Sequence, residues 1–490
     1  MNHQITRLGV VAVILLASLI VMTTYWQAWA ATDLADRQDN ALETVAALTV
    51  KRGKIYAGRA LVATNTKRRV GGQTLYFRHY PTGGLFSQVV GYSTQVRSRA
   101  GLEQSLNDFL TGANTNLSTV VDTTLDKLQG KTIKGNDVYL TLRPGAQRVA
   151  YQQLGSRCGA VVAIEPSTGR VLVMASTPTY NPNLIEKNYG KVANQRTGCG
   201  GKLVNRATAG LYAPGSTFKV VTAAAALNSG RFTPTSTFDD PGYCEEYGKR
   251  VYNAETESPF GVVTLAQGLQ HSINSVYCNI GKALGAIKIL TEAKEFGFYS
   301  KPPLDLPSGE VKASGLYRNN KLFFPKNDFQ VDPGRLAFGQ ERLGVTPLQM
   351  AMVAATVANK GQLMKPQLVE RITSPSGKTV VKLHPDALHE AMKPEVAAEI
   401  NQMMQSVVAA GTGTNAQIPG VKVAGKTGTA ETGVSGRNTT WFIFFAPADH
   451  PKVAGAVVVE NQPGAGNTYA APIAKAVLQA LLPKASNSHS

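Results

Sequence analysis

The hydrophobic pattern is most uniform at the start of the chain. From Leu8 to Met22 almost every side chain is apolar, and no charge falls between Arg7 and Asp33. As a helix, the 19 residues from Leu8 to Trp26 would span the ~30 Å hydrocarbon core of a bilayer. Tyr25, Trp26 and Trp29 stand where interfacial aromatics are expected. Arg7 precedes the run, and Asp33, Asp36, Asp39 and Glu43 follow it with only Arg37 opposing them. By the positive-inside rule, residues 1–7 lie in the cytoplasm and the chain beyond about residue 30 lies outside. A transmembrane signal anchor over residues 8–30 is therefore expected. Ala28-Trp29-Ala30 resembles a signal-peptidase site, but the apolar run is long for a cleaved signal, which favours a retained anchor.

Beyond the anchor the pattern shortens. Asp33 to Leu48 has helical spacing, Thr74–Phe77 and Gln88–Tyr92 read as strands, and Leu102–Leu110 reads as a helix stopped at Gly112. Residues 112–136 are polar and turn-rich, which predicts a linker. Residues 31–136 thus form a small mixed α+β module. From Asp137 the character changes. Val138–Leu142 predicts a strand, Pro144–Gly155 a helix, and Ala160–Glu165 with Arg170–Ser176 a hairpin around Pro166-Ser-Thr-Gly169. Residues 217 to about 410 read as mostly helical, including Val220–Asn228. Strands return at Val421–Ala424, Thr440–Phe445 and Lys452–Glu460, before an amphipathic helix Tyr469–Leu482 and a polar tail, 485–490. Strands at both ends of residues 137–484 with helices between them predict an α/β sandwich whose first and last segments share one sheet.

Composition narrows the partners. A chain of 490 residues exceeds one ordinary core, so two or three domains are expected. The excess of 50 Lys+Arg over 32 Asp+Glu, a net charge of +18, points to an anionic partner. No nucleic-acid-binding signature occurs, so no nucleic acid is expected. Lys51, Arg52, Lys54, Arg59, Lys67, Arg68 and Arg69 read as a solvated basic face. Outside a membrane, Cys158, Cys199, Cys244 and Cys278 can form disulfides in three connectivities, pairing in chain order being one and buried free thiols the alternative. Their spacing fits no zinc pattern and the seven histidines form no His-Glu-x-x-His, so no metal is expected.

Three short segments carry chemistry. In Pro214-Gly-Ser216-Thr-Phe-Lys219, a chain break is followed by an apolar helix. Ser216 would sit at the helix N-terminus, with Lys219 one turn on and on the same face. A lysine kept neutral by its surroundings can activate a serine; the bland alternative is an N-cap serine beside an unrelated lysine. In Ser272-Ile273-Asn274, a hydroxyl and a carboxamide could relay a proton and hold an amide. The pattern is cheap, for Ser105-Leu106-Asn107 matches it too. In Lys426-Thr427-Gly428-Thr429, strand alternation sends Lys426 and Gly428 to one face and the threonines to the other, unless Gly428 marks a bulge. A lysine and hydroxyls at a sheet edge suit a carboxylate. Gly420 to Thr427 also matches the phosphate-loop pattern G-x-x-x-x-G-K-[ST]. That motif needs a helix directly after it, whereas here Gly428, Gly433 and Gly436 follow.

In this order, Ser216-x-x-Lys219, Ser272-x-Asn274 and Lys426-Thr427-Gly428 resemble the three signatures of penicillin-recognising enzymes. Val162–Ser176, Asn205-Arg206-Ala207, Gly339-Gln340, Thr346–Gln349 and Trp441-Phe442 are similar to transpeptidase segments. Arg52–Ile55 and Gly101-Leu102-Glu103 resemble the pedestal motifs of class B penicillin-binding proteins, and size and anchor resemble the penicillin-binding protein A branch. Arg52-Gly53 lacks the usual Asp-Arg-Asn-Gly continuation, and Glu341 stands where many members have glycine.

The resemblance implies a penicillin-recognising transpeptidase fold: an antiparallel sheet sandwiched by helices, with an all-helical subdomain, on the 31–136 pedestal. It implies a D-Ala-D-Ala transpeptidase without cofactor or metal, acting on stem peptides and their lipid-linked precursor and acylated by β-lactams. Its partners would be the cytoplasmic membrane and other wall-synthesis or division proteins. Ser216 would be the nucleophile, Lys219 its base and Ser272 the proton donor to the leaving group. Asn274, Lys426, Thr427, Gly428 and Thr429 would bind substrate. A D,D-carboxypeptidase, a penicillin sensor, a class D β-lactamase, a bifunctional class A enzyme and a non-catalytic scaffold are the alternatives. The anchored module argues against sensor and β-lactamase, and residues 31–136 are too few for a glycosyltransferase.

Overall fold

The computed structural model describes residues 2–26, 48–95, 98–194, 198–253 and 259–483. Trp29, the Ala28–Ala30 cleavage pattern, almost all of the Asp33–Leu48 helix and the 485–490 tail lie outside the described residues. The first element is a helix, Asn2–Tyr25. Its Thr6–Tyr25 part has mean hydropathy 2.4, is not buried among the described residues, and is long and apolar enough to cross a membrane.

Two sheets organise the rest. The larger part of the chain is built on a five-stranded antiparallel sheet in the order Ala424–Glu431, Asn438–Ala446, Val453–Gln462, Gly159–Ile164, Val171–Thr177. The expected hairpin, Gly159–Thr177, shares this sheet with the last strands, but the first strand of residues 137–484, Asp137–Leu140, belongs to the second sheet. Helices Pro144–Leu154 and Gly466–Leu481 cover one face. The other is covered by Pro347–Ala358, in which every residue is buried. This is the sandwich expected from strands buried on both faces, which read as near-continuous Val, Ala and Phe.

The second sheet is six-stranded: Thr379–Lys382, Val369–Thr373, Asp137–Leu140, Ile55–Ala57, Ala60–Val70, Gln73–His79. Ile55–Ala57 runs parallel to Asp137–Leu140 and antiparallel to Ala60–Val70. The sheet therefore crosses residue 137, and two of its strands come from the middle of the chain. The basic stretch is not all solvated face. Glu103 is buried and accepts from Arg52 at 2.9 Å and Arg78 at 2.5 Å. Burial raises the Glu103 pKa, but the two guanidiniums outweigh it and hold the carboxyl below its ordinary range.

Several local expectations are corrected. Gln88–Tyr92 does not extend: Ser87–Val90 is a short buried helix closed by Gly91 at φ 75°, because a short apolar run carries no period of its own. Leu102–Leu110 is split into Gly101–Ser105 and Asn107–Thr111, ending at Gly112 in the left-handed conformation. The 112–136 linker holds a helix, Leu117–Leu128, capped by the Asn116 side chain. Its Thr- and Val-rich sequence has weak helix propensity, which hid it. Residues 217–410 are not mostly helical: Thr237–Asp240, Tyr243–Glu246, Lys249–Tyr252, Gly261–Thr264, Gly315–Arg318, Lys321–Phe323, Leu343–Gly344, Gln362–Met364 and Ala387–Glu390 are strands, besides the two given to the second sheet. Most are four residues or fewer, too short for alternation to show. The strand expected at Val421–Ala424 begins only at Ala424.

Candidate active site

Three elements bring the predicted residues together. Gly215–Phe218 forms a 3-10 turn that runs into helix Lys219–Asn228, so the α-helix starts at Lys219 rather than at Ser216. Gly215 has φ 53°, and a Cβ there would stand 2.7 Å from the Thr429 carbonyl oxygen. Glycine is thus what lets the turn carrying Ser216 lie against the motif strand. Gly428 allows the reciprocal approach, since a Cβ there would meet the Pro214 carbonyl at 2.8 Å. Thr217 Oγ1 donates to the same Pro214 carbonyl at 2.8 Å, and Trp441 Nε1 donates to the Ala213 carbonyl at 3.0 Å. Ser216 itself remains partly accessible between buried neighbours.

Lys219 is fully buried. Its Nζ donates to the Ser272 carbonyl at 2.6 Å, to Asn274 Oδ1 at 2.9 Å and to Ser272 Oγ at 3.3 Å. It also lies 5.3 Å from the centroid of the buried Tyr277 ring, a favourable place for a cation. The Tyr277 hydroxyl meets no hydrogen-bond partner among the described residues, and burial pushes its pKa up.

Ser272 sits in the turn between helices Leu265–Gln270 and Asn274–Leu284. Its φ of 58° is left-handed, a conformation a serine holds only when its surroundings dictate it. Asn274 is the first residue of the second helix and donates from Nδ2 to the Tyr252 carbonyl at 2.9 Å. The other Ser-x-Asn match lies in the pedestal, where Ser105 donates to the Asp305 carbonyl and Asn107 accepts from Arg52.

The third element, Ala424–Glu431, is an edge strand. It pairs without a bulge along Asn438–Ala446, so alternation is undisturbed through the motif. Lys426 is fully buried, and its Nζ donates to Ser272 Oγ at 2.9 Å and to the Thr427 carbonyl at 3.1 Å. Thr427 turns to the other face, where its hydroxyl lies 2.6 Å from that of Thr412. The Thr429 hydroxyl accepts from the Gly466 N–H at 3.3 Å. A strand, not a helix, follows Gly428, and the phosphate-loop reading falls with it.

Both lysine amines thus converge on one hydroxyl, that of Ser272, beside the turn that presents Ser216. Sequence reasoning missed Thr412 and Tyr277, and also Asp240 and Asn253 behind the Ser272 turn. All four are single polar or aromatic residues with no local pattern. The cysteines pair in chain order, Cys158 with Cys199 and Cys244 with Cys278. Cys244, Glu246 and Cys278 cluster as metal ligands can, but a disulfide offers no thiolate.

Comparison with known proteins agrees with this geometry. Residues 159–479 match the family model described as the penicillin binding protein transpeptidase domain, and residues 52–138 match the penicillin binding protein A dimerisation domain. A peptidoglycan D,D-transpeptidase, PbpA, of Mycolicibacterium smegmatis is 33% identical over 98% of this chain and 99% of its own. MrdA of Acinetobacter baumannii, also a peptidoglycan D,D-transpeptidase, is 32% identical over 83% of this chain and 66% of its own. The ceftriaxone acyl-enzyme of penicillin-binding protein A from M. tuberculosis superposes with a TM-score of 0.80 at 31% identity, over 90% of this chain and 100% of that one. The chain belongs to the penicillin-binding protein transpeptidases, in the penicillin-binding protein A branch of class B.

Proposed function

We propose that this peptidoglycan D,D-transpeptidase works through an acyl-enzyme on Ser216. The observation that carries the reading is the convergence of the Lys219 and Lys426 amines on the Ser272 hydroxyl. Lys219, whose buried amine is fixed by the Ser272 and Asn274 oxygens, is the base that takes the Ser216 proton. Ser216 Oγ attacks the carbonyl of the penultimate D-alanine of a stem peptide. Backbone N–H groups of Ser216 and Thr429 receive the oxyanion, a donor of this kind contributing about 3 kcal/mol. The peptide bond breaks, and Ser272 passes the proton to the departing D-alanine amine. Asn274 holds the acyl side, while Lys426, Thr427 and Thr429, along the Gly428 edge, bind the terminal carboxylate. An amine on a neighbouring strand then takes the acyl group and frees Ser216. A β-lactam acylates the same serine.

The residue roles belong to a larger arrangement. Residues 8–30 anchor the chain, and everything after the anchor lies outside the cytoplasmic membrane. Residues 31–136 form most of a pedestal whose sheet is completed by Asp137–Leu140, Val369–Thr373 and Thr379–Lys382, and the rest of 137–484 forms the transpeptidase domain. The two disulfides support an oxidising compartment. Lipid-linked precursor reaches the site from the membrane surface, and the pedestal is where other wall-synthesis or division proteins would bind. Product analysis with lipid-linked substrate and an acceptor strand tests the reading. Cross-linked dimer with release of D-alanine supports it; D-alanine release without cross-links would make the enzyme a carboxypeptidase.

A further inference from the structure

Helix Asn274–Leu284 has no cap of its own, since Ile273 at its N-cap offers no side-chain acceptor. The orphan N–H groups of its first turn are met from elsewhere in the chain. Asn253 Oδ1 accepts from the Asn274 N–H at 3.0 Å and the Ser275 N–H at 3.3 Å. Asn253 Nδ2 in turn donates to both oxygens of Asp240, at 3.1 and 3.0 Å. Asp240 also accepts from Ser275 Oγ at 2.5 Å, the Gly242 N–H at 3.0 Å and the Phe260 N–H at 2.9 Å. Its side chain is fully buried. Burial raises its pKa, but these hydrogen bonds outweigh burial and hold it below the carboxylate range. A buried anion is therefore fixed at the positive end of the helix that begins with Asn274.

The hairpin of Tyr243–Glu246 and Lys249–Tyr252, which lies between Asp240 and Asn253 in the chain, is tied to this helix twice more. The Tyr252 carbonyl accepts from Asn274 Nδ2, and Cys244 is bonded to Cys278, one turn further along the helix. What this fixes is the left-handed Ser272 turn. That turn supplies three contacts of the site: the Ser272 carbonyl and Asn274 Oδ1 that orient Lys219, and the hydroxyl shared with Lys426.

We infer that Asp240 and Asn253 are positioning residues for the acylation step: they cap the Asn274 helix from outside and hold the Ser272 hydroxyl in line with both lysines. The inference rests on the proposed roles of Ser216, Lys219 and Ser272. Neither residue touches the reacting atoms, so its effect should appear in the rate of the chemical step and not in substrate binding.

The test measures penicillin acylation of the whole ectodomain by intact mass over time and drug concentration. Asp240→Ala and Asn253→Ala should lower the maximal acylation rate by about 10- to 100-fold, the cost of a misplacement near 1 Å, with apparent affinity for the drug little changed. In a Ser272→Ala background the same substitutions should cost several-fold less, because the hydroxyl they align is gone. Ser275→Ala, which removes one bond to Asp240 and keeps the Asn253 link, supplies a milder arm should Asp240→Ala fail to fold; it should slow acylation by a smaller factor in the same direction. Equal losses with and without Ser272, or unchanged maximal rates in folded variants, would overturn the inference. Failure of the wild type to be acylated at Ser216 would instead overturn the reading on which it rests.

Discussion

Two buried clusters in this protein share a geometry and differ in charge. In the pedestal, Glu103 is held between two guanidiniums brought from Arg52 and Arg78. In the active site, the Ser272 hydroxyl is held between two amines brought from Lys219 and Lys426. Each is a small acceptor gripped by two long basic side chains from distant segments. The carboxylate answers the positive charge, so removing it would leave both guanidiniums buried without their counter-ion. The hydroxyl carries no charge to offset the two amines that donate to it. The charge of the group at the centre is what distinguishes the two clusters.

The comparison breaks most visibly at Lys219. Removing a general base costs about 10²- to 10⁴-fold, so Lys219→Ala should abolish measurable β-lactam acylation while leaving the melting temperature within a few degrees. Loss of stability equal to that of a pedestal variant would mean the lysine is structural. At the opposite pole, Glu103→Ala leaves two buried cations uncompensated, a change that typically costs about 3–5 kcal/mol. Chemical denaturation should show a loss of that size, with acylation per folded molecule within about twofold of wild type.

A smaller effect is expected at Lys426. A charge-assisted hydrogen bond contributes about 1.5–3 kcal/mol, so Lys426→Ala should slow acylation by about 10- to 150-fold. With a substrate whose terminal carboxylate is replaced by an amide, the mutation should matter less. Strict additivity in that cycle would mean that Lys426 does not meet the carboxylate. The smallest effect is a pH dependence. Because the folded Glu103 pKa is depressed, its stabilisation is fully present above the unfolded value near ~4.3 and disappears as pH falls through the folded one. The stability gap between wild type and Glu103→Gln should therefore be flat from about pH 6 to 8 and narrow below about pH 4. A gap that widened on acidification would contradict the assignment.

Legibility in the sequence followed the physics of each region. The three motifs could be read because each packs its chemistry into three to six consecutive residues, and the buried sheet because long apolar runs at both chain ends have one economical use. Strand alternation put Lys426 and Gly428 on one face, and the unbroken pairing from Ala424 to Glu431 preserves that alternation; that the Lys426 amine meets Ser272 is a property of the fold. The hairpins between Thr237 and Thr264 were not legible. Strands of four residues leave no period, and nothing local shows that Asn253 and Asp240 meet the helix that begins at Asn274. Nor could Val369–Thr373 be placed in the pedestal sheet from sequence, since its pairing partner at Asp137–Leu140 is more than 200 residues away. Glu103 was legible only as part of a motif; that two arginines close on it is a property of the folded sheet.

The claim on which all of this turns is that Ser216 carries the acyl group. Purified ectodomain incubated with penicillin should gain the mass of one penicilloyl group, and peptide mapping should place it on Ser216. Ser216→Ala should gain none while keeping the wild-type melting temperature. A mass gain that persists in a folded Ser216→Ala protein, or an adduct mapped to another residue, would contradict the account.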